Sequence, residues 1–181
     1  MTPPLDGRFG GLVVALANLA NVPVLIARAP SADETIVAAT DLQAANYPVL
    51  RQAAQLAEQI DASLVALHNV PPPPMSARTV TRAATFDSAV ESQTEDRRRR
   101  LERATSELQL FAEAVVSHEA NSADAILREA RARDADVVVV GARRPSWFER
   151  LRRGSVPSRV VDRARRSVLV TPIGDHRSNS R

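Results

Sequence analysis

Ala135-Asp136-Val137-Val138-Val139-Val140-Gly141 sets four valines in a row between an Asp and a Gly. An unbroken β-branched run of that length, with no polar residue on alternate positions, predicts a strand buried on both faces. Three runs of the same kind follow from it: Thr35-Ile36-Val37-Ala38-Ala39-Thr40, Ser63-Leu64-Val65-Ala66-Leu67-His68 and Ser167-Val168-Leu169-Val170-Thr171. Ala114-Val115-Val116-Ser117-His118 is a weaker fifth. Between the strands, apolar residues recur at steps of three and four: Val49, Ala53, Leu56, Ala57 and Ile60 within Tyr47 to Ile60; Leu101, Ala104, Leu108 and Phe111; Ala123, Ile126, Leu127 and Ala130; Val156, Val160, Val161 and Ala164. Strands alternating with helices predict an α/β fold, an open doubly wound parallel sheet of five strands with helices on both faces.

Outward from this core the chain divides into an N-terminal segment over 1–33, a domain over 34–173 and a tail over 174–181 expected to be disordered. Pro71 to Pro74 favour an extended segment, followed by a surface loop to about Thr85. Arg97-Arg98-Arg99-Arg100 follows Glu95 and Asp96, each four residues ahead of an arginine, which predicts a solvated helix face with ion pairs along it. The N-terminal segment carries a repeat. Gly10 to Ile26 lines up without gaps on Gly154 to Val170, at an offset of 144 residues. It therefore reads as the last helix and strand of a preceding copy whose body the sequence does not contain. Leu12 to Ala27 is apolar, but Asn18, Asn21 and Pro23 interrupt it and it is shorter than the ~20 apolar residues of a membrane span.

Composition narrows the chemistry. At 181 residues, 44% hydrophobic and 25% charged, the chain has the makeup of a globular domain. It contains no cysteine, which removes disulfides and thiolate chemistry and suits a reducing, cytoplasmic location. All 24 basic residues are arginine, so amine-dependent phosphate loops and Schiff-base chemistry are excluded. His68, His118 and His176 lie far apart with no metal-ligand spacing, and no metal site is expected. A sequence pI near 10.7 invites a nucleic-acid reading, yet the net charge is only +3 and aromatics are 3%. Neither nucleic acid nor membrane is an expected partner.

In such a sheet, ligands bind beyond the carboxyl ends of the strands where strand order reverses. Thr40-Asp41, His68-Asn69-Val70 and Val140-Gly141 end three of the strands, and Gly154-Ser155 opens the last helix with amides and a dipole suited to phosphate. Asp41 is open to two readings, a ligand contact or the cap of the following helix. His68 reads as a histidine bonded within the fold, and Trp147 with Phe148 as a loop anchor.

These segments resemble the universal stress protein family over about Glu34 to Ile173: Ile36 to Asp41, Leu67-His68, Ala135 to Gly141, Gly154-Ser155-Val156 and Val168-Leu169-Val170. The resemblance implies the adenine nucleotide alpha hydrolase-like variant of the fold. Nucleotide-binding members carry Gly, two residues, Gly, nine residues, then Gly-Ser or Gly-Thr. Gly141, Gly154 and Ser155 keep that spacing, and Arg144 replaces the middle glycine. The resemblance implies a regulatory domain that binds ATP or a related adenine nucleotide, with or without Mg, as a signal and without substantial catalysis. The site would comprise Ala39, Thr40, Asp41, Asn69, Val140, Gly141, Arg144, Gly154, Ser155 and Val156. The alternative is an interaction module whose site is degraded by Arg144 and by Gln43, which stands where many binding members have a small hydroxyl residue. The resemblance also implies a homodimer paired through Val168–Val170, and Val22 to Ile26 is a look-alike strand that competes for that edge.

Overall fold

In a computed structural model of the chain, which describes residues 9–28, 34–43, 47–72, 83–143 and 155–174, every parallel strand expected from the sequence forms. In chain order the elements are α1 (Phe9–Ala20), β1 (Val24–Ile26), β2 (Thr35–Ala39), α2 (Pro48–Ile60), β3 (Ser63–Asn69), α3 (Ala83–Glu107), β4 (Ala112–Ser117), α4 (Ser122–Ala132), β5 (Val137–Arg143), α5 (Val156–Arg163) and β6 (Ser167–Ile173). The sheet has six strands rather than five, in the order β1-β6-β5-β2-β3-β4. The additional one is β1, which joins the edge of β6 antiparallel while the other five run parallel.

The valine run lies at the centre. Val138, Val139 and Val140 are all but fully buried because β5 has β2 on one side, β6 on the other and a helical layer over each face. Alternation along the strands feeds two cores. Val37, Val138, Val140, Val168 and Val170 pack on the side of α1, α4 and α5, with Val13 and Ala17 of α1 inside that core. Ile36, Ala38, Val139 and Leu169 face the opposite side with Leu50 and Ala53 of α2 and Leu101 and Ala104 of α3.

Departures from expectation have local causes. The helix at Ala83 begins inside the stretch read as loop, which ran to about Thr85; the rest of that loop, 75–82, lies outside the described residues, as do Pro73 and Pro74. Phe111, read as apolar helix face, follows a left-handed Gln109 and is wholly exposed just before β4, so its match to the helical period is accidental. The edge of β6 expected to pair with a second subunit is filled by the same chain: Val24, Leu25 and Ile26 pair with Val170, Leu169 and Val168. Pairing through Val168–Val170 is thus already complete within one chain. Residues 175–181, where the disordered tail was expected, lie outside the described residues.

Candidate functional site

Chain order reverses between β2 and β5. From β2 the chain goes outward to β3 and β4, then returns past β2 to start β5. A crevice of about 800 Å³ opens there, beyond the carboxyl ends of the strands. Of the ten expected site residues, eight line it: Ala39, Thr40, Asp41, Asn69, Val140, Gly141, Ser155 and Val156. Arg144 and Gly154 lie outside the described residues, as do Trp147 and Phe148.

The turn after β2 is built from side chains bonding the backbone two residues on. Thr40 Oγ1 accepts from the Leu42 amide at 3.1 Å and Asp41 Oδ1 from the Gln43 amide at 3.0 Å. Leu42 is held at φ 59° between them. Asp41 does not cap α2, whose N-cap is Tyr47 without a side-chain bond. Its other oxygen, Oδ2, sits 2.8 Å from Arg143 Nη2. Arg143 therefore neutralises the carboxylate opposite.

His68 is the last residue but one of β3 and its ring is buried. Nδ1 lies 2.8 Å from the Thr40 carbonyl, and a carbonyl only accepts, so Nδ1 carries the proton. Burial holds the imidazole below its ordinary pKa despite that bond, and Arg97 adds to the effect. The ring is neutral near pH 7, with Nε2 left as an acceptor. Asn69 is more tightly engaged than its sequence position indicated. Its Nδ2 donates to the Glu119 carbonyl at 3.0 Å and to Ser122 Oγ at 3.2 Å, and its Oδ1 accepts from the Glu119 amide at 3.0 Å. It ties the loop after β4 to the crevice wall.

Ser155 is the N-cap of α5, its hydroxyl accepting from the Ser158 amide at 3.3 Å. Gly141 has a packing reason as well. A Cβ there would come within 2.4 Å of Ile173 Cδ1 and 2.9 Å of Val49 Cγ2, so a larger residue would have to push both side chains aside. Sequence reasoning missed Arg97. Of its neighbours, Arg99 pairs with Glu95 as predicted, while Arg98 pairs with Glu102, a partner the sequence reading did not name. Arg97, one position round the helix, instead stands half-buried at the crevice wall with Gln93. Only the topology, which lays α3 beside β3, reveals this. Val14 of α1 lines the crevice too. Among the described residues no group of three metal-ligating side chains occurs, and no helix is long and apolar enough to cross a membrane.

The family model described as the universal stress protein family matches residues 34–172. Among solved structures, a universal stress protein in complex with cAMP shares 24% identity at TM-score 0.50, covering 80% of this chain and all of that one. A hypothetical protein, MJ0577, shares 17% at TM-score 0.57 over 82% of this chain and 99% of its own. A universal stress protein from Archaeoglobus fulgidus shares 17% at TM-score 0.55 over 85% of this chain, which spans about half (52%) of that protein. At these identities the structural likeness establishes the fold. No curated protein matches the chain.

Proposed function

The chain belongs to the universal stress protein family, and from that premise we propose that its crevice binds ATP or a related adenine nucleotide as a regulatory signal. The carrying observation is the convergence of eight expected residues on one crevice at the point where strand order reverses. Its volume suits a nucleotide, since ligand pockets span roughly 300–1,000 Å³. Ala39, Val70, Ile126 and Val140 offer apolar wall for a base, while Ser155 and Val156 offer the amides and dipole of a helix start for phosphate. Among the described residues that line it, one carboxylate, Asp41, stands against two guanidiniums, Arg97 and Arg143, and His68 is neutral. The balance favours an anion. A fold relative was solved with cAMP, in keeping with that class of ligand.

Within the crevice the ingredients of catalysis are sparse: His68 has its Nδ1 proton committed to Thr40, and Asp41 is paired with Arg143. Occupancy rather than turnover is the proposed output. Equilibrium binding of labelled ATP with and without magnesium tests the reading. Saturation below millimolar is expected, with at least tenfold weakening in Asp41→Ala, which removes the carboxylate available to a ribose hydroxyl and frees the turn held by its bond to the Gln43 amide. Absence of binding at millimolar nucleotide would replace this function with that of an interaction module.

A further inference from the structure

The crevice straddles the end of the sheet, and its two halves differ in chemistry. Side chains alternate along a strand, so on β3 Leu64 and Ala66 join the core beneath α2 and α3, and His68 follows on that same face. Asn69 turns the other way, to Ser122 of α4. Ile126, Val140, Ser155 and Val156, the wall offered to a nucleotide, belong to the half on the side of α4 and α5. Pro48 and Val49 of α2, Gln93 and Arg97 of α3, and His68 bound the half opposite. There, donors stand without acceptors.

Arg97 is the clearest case. Arg98 and Arg99 each hold a glutamate, whereas among the described residues no carboxylate forms an ion pair with Arg97. Its guanidinium carries five N–H donors. Gln93 lies one turn earlier on the same helix face and adds an amide. His68 has its Nδ1 proton committed to the Thr40 carbonyl, and Nε2 has no partner among the described residues. The charged groups acting on the ring are Arg97 and Arg100 of α3 and, against them, Asp41 of the turn after β2. Asp41 is itself paired with Arg143. Among the described residues α2 brings Pro48 and Val49 to the crevice, and β4 sets Val116 beside His68 in register. The field in this half is positive.

We propose that Arg97, Gln93 and His68 form a seat for a doubly charged oxyanion of the sulfate or phosphate class, bound together with one proton. The Arg97 fork meets two oxygens and the Gln93 amide a third. A neutral ring would set the Nε2 lone pair against the anion, so Nε2 takes a proton from solvent as the anion enters. Nδ1 then donates to Thr40 and Nε2 to the oxyanion. Burial, with Arg97 and Arg100, holds the empty ring below its ordinary pKa, and the anion raises it. Affinity therefore climbs as pH falls through the value of the occupied seat and levels off below that of the empty one. The seat needs no nucleotide. Its occupant is a free oxyanion or a phosphate of the ligand in the opposite half.

Sulfate is the probe, because it stays a dianion between pH 8 and pH 5.5 and any pH dependence belongs to the protein. Titrated against chloride at constant ionic strength, it is expected to move the His68 ring resonance saturably toward the imidazolium position. That resonance is identified by its loss in His68→Asn. Calorimetry is expected to give binding about fivefold tighter at pH 5.5 than at pH 8. Arg97→Gln is expected to weaken it about tenfold, and Arg98→Gln, which breaks only an exposed pair, to leave it unchanged. His68→Asn keeps a donor for Thr40 and is expected to bind sulfate without pH dependence; it serves should Arg97→Gln fail to fold. A repeat with ATP present distinguishes the sources: unaltered sulfate affinity marks a free oxyanion, competition a nucleotide phosphate. Sulfate binding without any ATP binding keeps the seat and removes only the nucleotide reading. A His68 resonance indifferent to sulfate, pH dependence that survives in His68→Asn, or equal responses in parent and Arg97→Gln overturns the proposal.

Discussion

His68 and Asn69 are adjacent in sequence and do opposite things with their polarity. His68 is buried, gives its one proton to Thr40 and is held below its ordinary pKa chiefly by desolvation. Between the folded value and the ordinary 6.5, the unfolded chain binds a proton that the folded chain does not. Its contribution to stability is therefore complete above pH 6.5 and is lost as pH falls below it. His68→Asn keeps a donor for Thr40 without the titration. The urea midpoint of the parent is expected to fall more than that of the variant between pH 7.5 and pH 5, and parallel curves would refute the assignment. Asn69 answers to packing instead. Replacing it with Leu orphans the Glu119 amide and carbonyl and is expected to cost about 1–3 kcal/mol in urea denaturation at any of these pH values.

At the scale of elements, what the chain reveals beforehand is whatever depends on burial alone. The valine run of β5 and its three companions need no topology to be recognised, because a strand covered on both faces is apolar throughout. The fifth parallel strand is harder: β4 is a sheet edge with Glu113 exposed, so its pattern is diluted. Features set by a neighbour distant in sequence stay hidden. Arg97 belongs to an ion-paired helix face by sequence and to the crevice by position, and Asp41 meets Arg143 only because β2 and β5 are adjacent. The repeat was legible, its consequence for the sheet edge only as one possibility among others. Leu16 shows why a repeat does not predict burial. Its equivalent Val160 is fully buried against the domain, whereas Leu16 is 48% exposed on the outer side of α1. Helix ends offer a cleaner prediction. Asp61 closes α2 at φ 55°, its amide bonded to the Ala57 carbonyl, and its side chain is exposed. Asp61→Gly removes the left-handed strain and is expected to raise stability by about 0.5–1 kcal/mol, seen as a higher thermal midpoint.

Across the whole molecule, the segment that fills the sheet edge also touches the crevice. Val14 forms part of the crevice wall, and Asn18 Nδ2 donates to the Arg143 carbonyl at 3.2 Å. The Arg143 side chain in turn reaches the Asp41 carboxylate at the opposite lip. Docking of α1 thus fixes the backbone from which one of the crevice's two guanidiniums projects. If a nucleotide binds there, its affinity and the docking of α1 are linked, and linkage runs both ways. Asn18→Ala is expected to weaken ATP binding about fivefold, a coupling near 1 kcal/mol, while leaving the fold intact. Reciprocally, saturating ATP should slow hydrogen exchange at the α1 amides of the parent chain. Equal affinity in parent and Asn18→Ala, together with α1 exchange indifferent to nucleotide, would separate the two ends of the molecule and leave edge and crevice as independent devices.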